Sequence, residues 1–400
     1  MTYKIHKENS PPSFLKKITP LGLILILIVL FWLFQGERQG TEAVSVYVRA
    51  AQSGGDYLLR HLNNDGSFVY EYNPITGKRS DSYNILRHAG TAYTLAELYG
   101  YTGDKKYILG AEKALLYLKK QIKPCPNNLG PACVVEAGET KLGGNALAVL
   151  AFTKYMAVTG TRKYVQEAKQ LTDFILNTQS KTGEFLVHKI YGDTVDSFRS
   201  RYYPGEAIFA LVSLYNLNRD SKFVDAAHRG ALWLTVRDAT IPDSKLILDQ
   251  WLLYGLNELH ENNNDERYVK YAKRFVNIAS VRQHNSNIDE EIVWNGGYGN
   301  PPRGTLAAII DEGLGAAYYV FLRSRDSEYA SKTLEILKNG IRFQLHTQYT
   351  AENIVSLKAN PAGLGGFRNY LDEYTVRIDY THHSISALLG LAEIVRDHKP

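Results

Sequence analysis

The chain has 400 residues, 44% of them hydrophobic, and a formal net charge of +5. That is enough apolar chain for a large core, in one large domain or two smaller ones. The charge is mild and no Lys/Arg block follows the N-terminal tail, which argues against nucleic acid as a partner.

Lys4, Lys7, Lys16 and Lys17 precede an apolar run from Leu21 to Phe34. Ile18 to Gly36 supplies the length a membrane-spanning helix needs. Lysines ahead of the span predict a cytoplasmic N-terminus and an exported remainder. A cleaved signal peptide is the alternative, but Gln35-Gly36-Glu37-Arg38 is a poor cleavage site. The expected organisation is a cytoplasmic tail at 1–17, a single-pass transmembrane signal anchor at 18–36, a linker at 37–42 and one domain at 43–400. The expected location is the inner (cytoplasmic) membrane, with the domain outside the cytoplasm (the periplasm if the cell is Gram-negative).

A helical repeat follows. An aromatic residue precedes a small one by four positions at Tyr47/Ala51, Tyr107/Ala111, Tyr164/Ala168, Phe223/Ala227, Tyr268/Ala272 and Tyr329/Thr333. Such pairs share a helix face. Capping residues stand three positions before five of the aromatics: Asp104, Thr161, Asp220, Asp265 and Asp326. A second helix, richer in Ala, Gly and Leu, is expected after each at about 84–99, 145–158, 206–217, 250–261, 312–323 and 383–396. The contrast predicts an inner ring of buried helices and an outer ring of amphipathic ones. Connections from inner to outer helices are short. Those from outer to inner are mostly long, with β-like runs at Gly66–Tyr72 and Gly183–His188. Long loops and inner-helix N-termini then share one end, where function tends to sit.

Cys125 and Cys133 lie in one Pro- and Gly-rich loop. A disulfide is expected in an oxidising compartment, with two free thiols as the alternative.

The alternation, with the phrases Asn84-Ile-Leu-Arg-His-Ala-Gly-Thr, Tyr203-Pro-Gly-Glu-Ala and Asp249-Gln-Trp-Leu, resembles the six-hairpin (α/α)6 toroid superfamily. The resemblance covers about residues 41 to 400. It implies an all-α (α/α)6 barrel with short β-hairpins in its long loops. Glycoside hydrolases, polysaccharide lyases and sugar epimerases belong to that superfamily.

The inner-helix heads carry the candidate site residues. Asp249 and Asp311 are the first choice for a catalytic pair, with Glu206, Asp379, Glu312 and His88 as further candidates. Glycoside hydrolysis needs one protonated carboxyl and one base or nucleophile. Each acid at a helix start has an ordinary alternative, which is to cap free N–H groups. Asp81, Tyr83, Asn84, Arg87, Asn145, Tyr203, Trp251, Arg377 and His383 are candidates for substrate binding. Trp251 and Tyr203 offer stacking faces, or core packing. Arg87 suits a carboxylate. His382-His383 lacks metal-ligand spacing, so no metal and no cofactor are expected.

The leading expectation is a membrane-anchored glycoside hydrolase acting on a cell-surface or exported polysaccharide. One alternative is a uronate lyase or epimerase using Asn84, Arg87 and His88. Another is a non-catalytic glycan-binding component of a polysaccharide export or assembly system. Expected partners are the polysaccharide, the membrane and, as an open option, biosynthesis or export proteins.

Overall fold

The computed structural model describes residues 44–286 and 289–397. The expected anchor at 18–36, with its tail and linker, lies outside the described residues. Outer helices α1 (44–60), α3 (Lys105–Lys120), α5 (Val165–Asn177), α7 (Ser221–Ala239), α9 (Glu266–Arg282) and α11 (Ser327–Thr347) alternate with inner ones. The inner helices are α2 (Ile85–Thr102), α4 (Leu142–Thr159), α6 (Tyr203–Asn218), α8 (Gln250–Asn262), α10 (Gly304–Arg323) and α13 (Ile378–Asp397). A short α12 (Ala351–Ser356) sits in the last long loop. Each inner helix packs on the next, and α13 returns to α2, closing the ring.

Residue chemistry separates the two rings. In α4 every residue from Leu142 to Thr153 is buried. In α9 the buried set Tyr268, Tyr271, Ala272, Phe275, Val276 and Ala279 follows the three-and-four spacing of one face. The aromatic/small pairs form the contact between rings. Tyr107, Tyr164, Phe223 and Tyr268 are buried to within 1%, and all six small partners have no exposure. One described helix, Gly304–Arg323, is long and apolar enough to cross a membrane; 72% of its apolar window is buried in this core.

Asp104, Asp220, Asp265 and Asp326 cap their helices as expected. Thr161 does not: α5 starts at Val165, and Thr161 Oγ1 meets Thr159 Oγ1 instead. Gly103 and Gly160 end α2 and α4 at φ near +70°, a conformation that glycine adopts without a Cβ clash. Four inner helices begin earlier than the sequence pattern suggested, α4 and α6 by three residues. Gly304 rather than Glu312 opens α10, and Ile378 rather than His383 opens α13.

The long loops carry two sheets. Strand β1 (Glu71–Tyr72) pairs antiparallel with β7 (Val376–Arg377), joining the first and last hairpins. Strands β2 (Ile122–Lys123), β3 (Cys133–Glu136), β4 (Glu139–Lys141), β5 (Lys189–Tyr191) and β6 (Thr194–Val195) form a meander in that order. The expected strand at 183–188 is only a bridge between Gln179 and Phe185, and the paired strand follows it. The disulfide Cys125–Cys133 staples the edge of the meander.

Replacing Asp220 by Ala removes a side chain that accepts from the Lys222 N–H and should lower unfolding free energy by about 1 kcal/mol. Thr161→Ala should change it by less than a few tenths of that. Urea denaturation of the two variants checks the difference.

Candidate active site

The inner-helix N-termini frame a mouth cavity of about 330 Å³. Asn84 and Arg87 enter from α2, Tyr203 and Glu206 from α6, and Gln250 and Trp251 from α8. Thr305 enters from α10, and Asp379, His382 and His383 from α13, with Arg377 just before it. Asn84 caps α2 by accepting from the Leu86 and Arg87 N–H groups.

A charged frame holds one side. Asp379 is 5% exposed, and both of its oxygens are taken. Arg87 Nε donates to Oδ2 at 2.9 Å, and Arg377 donates from Nε to Oδ1 at 2.5 Å and from Nη2 to Oδ2 at 2.8 Å. Arg87 also donates to the Tyr70 hydroxyl. A carboxylate held by two guanidinium groups is a positioning element.

Two buried titratable groups face this cavity from opposite helices of the ring. Glu206 on α6 is 5% exposed, and its Oε2 has no hydrogen-bond partner among the described residues. Burial, reinforced by the Asp249 carboxyl, raises Glu206 well above the usual carboxylate range. Both causes favour its protonated form. Gly143 makes room for it: a Cβ there would stand 2.2 Å from Oε2.

His382 lies across the ring on α13. Thr91 Oγ1 donates its one proton to the Arg87 carbonyl at 2.8 Å, so the 3.0 Å contact to His382 must be donated by Nδ1–H. Nε2 keeps its lone pair and makes no hydrogen bond among the described residues. Burial, with His383, Arg87 and Arg377 adding to it, holds this imidazole well below its ordinary value. Its uncharged form is favoured. Gly90 gives the ring its space, since a Cβ there would meet Cε1 at 2.8 Å. Gln250 Oε1 and Thr305 Oγ1 are further buried polar atoms of this cavity that lack partners among the described residues.

His383 donates from Nδ1 to Glu312 Oε2 at 2.8 Å. Burial disfavours charge on the imidazole, but the Glu312 carboxylate outweighs it and holds His383 above its ordinary value. Burial pushes Glu312 up to about 7, with His383 pulling the other way. The pair spans the barrel. His383 faces the mouth, and Glu312 borders a cavity of about 430 Å³ at the short-turn end. The acids of that second cavity are largely satisfied: Glu97 accepts from Ser386, and Glu258 from Asn216.

The structure does not bring the five expected acids together at the mouth. Asp249 caps α8, accepting from the Trp251 and Leu252 N–H groups at 3.0 and 3.3 Å, and does not line the cavity. Asp311, two turns inside α10, faces outward to Gly340 and Gln344 of α11. His88 faces outward too. Its Nε2 donates to the Ala114 carbonyl at 2.9 Å and its Nδ1 accepts from Tyr83 at 2.7 Å, and burial lowers it to about 4. Asn145 joins α4 to β3, accepting from the Val134 N–H and donating to the Lys141 carbonyl. Asp81 and Tyr83 line a separate surface groove.

Sequence reasoning passed over His382, Gln250 and Thr305 as site residues. One signal was available for His382. Adjacent residues diverge around a helix, so a histidine pair near a helix head sends its two rings in different directions. No such signal marks Gln250 or Thr305.

No family model and no curated protein matches the sequence. In three dimensions the chain is similar to a D-mannose isomerase, with a TM-score of 0.65, 14% identity, and coverage of 88% of this chain and 97% of the other. A cellobiose 2-epimerase from Bacillus thermoamylovorans B4167 gives 0.63, 11%, 88% and 100% on the same measures. An inactive variant of an α-1,6-mannanase of Salegentibacter sp. HEL1_6, in complex with α-1,6-mannotriose, gives 0.61, 15%, 87% and 99%. At these identities the likeness establishes the fold. The chain is an (α/α)6 toroid, as its sequence resemblance implied.

Burial pushes Asp249 up to about 8, against the two N–H groups that favour its charged form. An unfolded aspartate releases its proton near pH 4, so this group makes folding weaker as pH rises between those values. Asp249→Asn removes the titration and keeps a capping side chain. The variant should gain on the parent by more than about 1 kcal/mol in unfolding free energy between about pH 5 and about pH 8. A gap that stays constant in denaturant titrations would refute the assignment.

Proposed function

We propose that the protein is a carbohydrate-processing enzyme that works by proton transfer in the mouth cavity, with Glu206 as acid and His382 as base. The observation that carries this reading is the placement of a buried carboxyl with an unpartnered oxygen opposite an imidazole with a free lone pair, in one sugar-sized cavity. Trp251 and Tyr203 supply the aromatic walls that sugar rings stack on. The similarity to a mannanase, an epimerase and an isomerase supports the substrate class.

Hydrolysis of a glycosidic bond is the leading reaction. Glu206 protonates the leaving oxygen as the bond from the anomeric carbon breaks. Water attacks that carbon and gives its proton to His382 Nε2. Solvent then returns a proton to Glu206 and removes one from His382. This pair replaces Asp249 and Asp311 as the proposed chemical centre. The Asp379 frame orients Arg87 and Arg377 toward the sugar.

One observation favours a second reading, epimerisation or isomerisation. The rings of His382 and His383 lie 4.3 Å apart, one shifted down by burial and the other shifted up by Glu312. An imidazole base beside an imidazolium acid suits removal and return of a carbon-bound proton.

The protein is further proposed to act outside the cytoplasm on an N-terminal anchor. The lysine-flanked apolar run and the Cys125–Cys133 bridge support this, since disulfides persist in oxidising compartments.

Glu206→Gln and His382→Asn should each slow turnover at least about a hundredfold, near 3 kcal/mol of barrier, with circular dichroism unchanged. Assays on a panel of polysaccharides in deuterated water separate the reactions. New reducing ends indicate hydrolysis, and deuterium on a sugar carbon indicates epimerisation or isomerisation. Binding without either, and unaffected by both substitutions, would leave a glycan-binding protein.

A further inference from the structure

A cavity of about 410 Å³ lies beside the mouth, between α7 and the segment 184–204. Arg199, Arg201 and Arg237 line it, with Trp233, His188 and Glu184. Arg237 is engaged: its Nε donates to Asp238 at 2.8 Å, and its guanidinium lies 5.4 Å from the centre of the Trp233 ring. The other two arginines make no direct ion pair with an acid among the described residues, although Arg199 is near enough to Asp196 to help lower that carboxyl's pKa. Arg199 donates only to the backbone carbonyls of Asp196 and Phe198, and Arg201 makes no hydrogen bond or ion pair. Both are exposed. Three guanidinium groups thus gather at a cavity whose own acid is Glu184.

The arginines are held there by a buried histidine. His188 Nδ1 accepts from the Ser200 N–H at 2.9 Å, so its other nitrogen donates to the Phe185 carbonyl at 3.1 Å. This contact pins the chain between Arg199 and Arg201. The same segment also borders the mouth. Tyr202 and Tyr203 line the mouth, and Phe198, 44% exposed, packs against Tyr203 with ring centres 5.9 Å apart. An exposed aromatic therefore adjoins the mouth on the same segment that carries Arg199 and Arg201.

We propose that this cavity is a binding subsite for an acidic group, a carboxylate or a sulfate, on a sugar adjacent to the one in the mouth. The polymer is then an acidic polysaccharide. Guanidinium groups bind such oxyanions through paired N–H donors, and two of these have donors free. The inference rests on the reading of the mouth as a carbohydrate site.

The test uses the full-length chain in detergent and oligosaccharides of matched length. Polygalacturonate carries carboxylates, heparin fragments carry sulfates as well, and mannan fragments are neutral. Binding is measured by calorimetry at two salt concentrations, and turnover is followed alongside. At least one acidic series should bind more tightly than the neutral one, and less tightly as salt rises. The double variant Arg199→Gln/Arg201→Gln should weaken that binding about tenfold and leave the neutral series unchanged. Preference for polygalacturonate assigns a carboxylate, and preference for heparin fragments alone assigns a sulfate. Equal affinity for neutral and acidic chains, or acidic binding untouched by the double variant, overturns the subsite. Arginine-dependent binding with no conversion of any probe would leave the subsite standing and remove the reading of the mouth as a reaction centre.

Discussion

Closure of the ring is the constraint on which this fold depends. Six hairpins laid side by side leave two open faces, on the first pair and on the last. Apolar contact between α2 and α13 covers those faces, and polar contacts fix their register. Strand β1 pairs with β7, Arg87 of α2 meets Asp379 of α13, and Thr91 meets His382. A buried carboxylate is costly unless its lone pairs are matched, and Asp379 is matched by two guanidinium groups. The mouth is thus built across the seam, and its best-ordered charges are also the clasp.

The electrostatics of the mouth follow from desolvation. Taking a carboxyl out of water favours its neutral form, and the same step favours a neutral imidazole. Glu206 and His382 line one cavity, and burial moves the carboxyl up and the imidazole down. His383 beside them shifts the opposite way because it donates to Glu312. The neighbouring histidines therefore shift in opposite directions through their partners rather than their depth. Gly90 and Gly143 complete the arrangement by leaving room where any side chain would push the acid or the base aside.

Much of the fold was legible in the sequence. Aromatic/small pairs and aspartate caps marked the outer helices because packing and capping are local, periodic demands. The inner helices were legible in their bodies and poorly so in their heads. Gly304 and Ile378 begin helices that the pattern placed later, and that shift moved Asp311, Glu312 and the histidine pair deeper into the barrel than expected. The site was harder to read. Asp249 and Glu206 both stand near helix starts, yet one turns back to cap its own helix and the other projects into the cavity. Spacing along a chain cannot separate these outcomes, since rotation about the helix axis decides them. His88 illustrates the same limit: its neighbour Arg87 faces the mouth, while the imidazole is buried against α3.

The seam also sets an order on biosynthesis. Residues of the first inner helix and of the last complete one another, while the four inner helices between them are made in the interval. A nascent chain carries Arg87 early and waits for Asp379 until nearly all of its length has left the ribosome. During that wait the guanidinium has no carboxylate beside it, and β1 has no edge to join. The early hairpins can stack on one another, but the mouth cavity has no wall on one side. The cavity is complete only when the last hairpin docks, because α13 supplies Asp379, His382 and His383 to it.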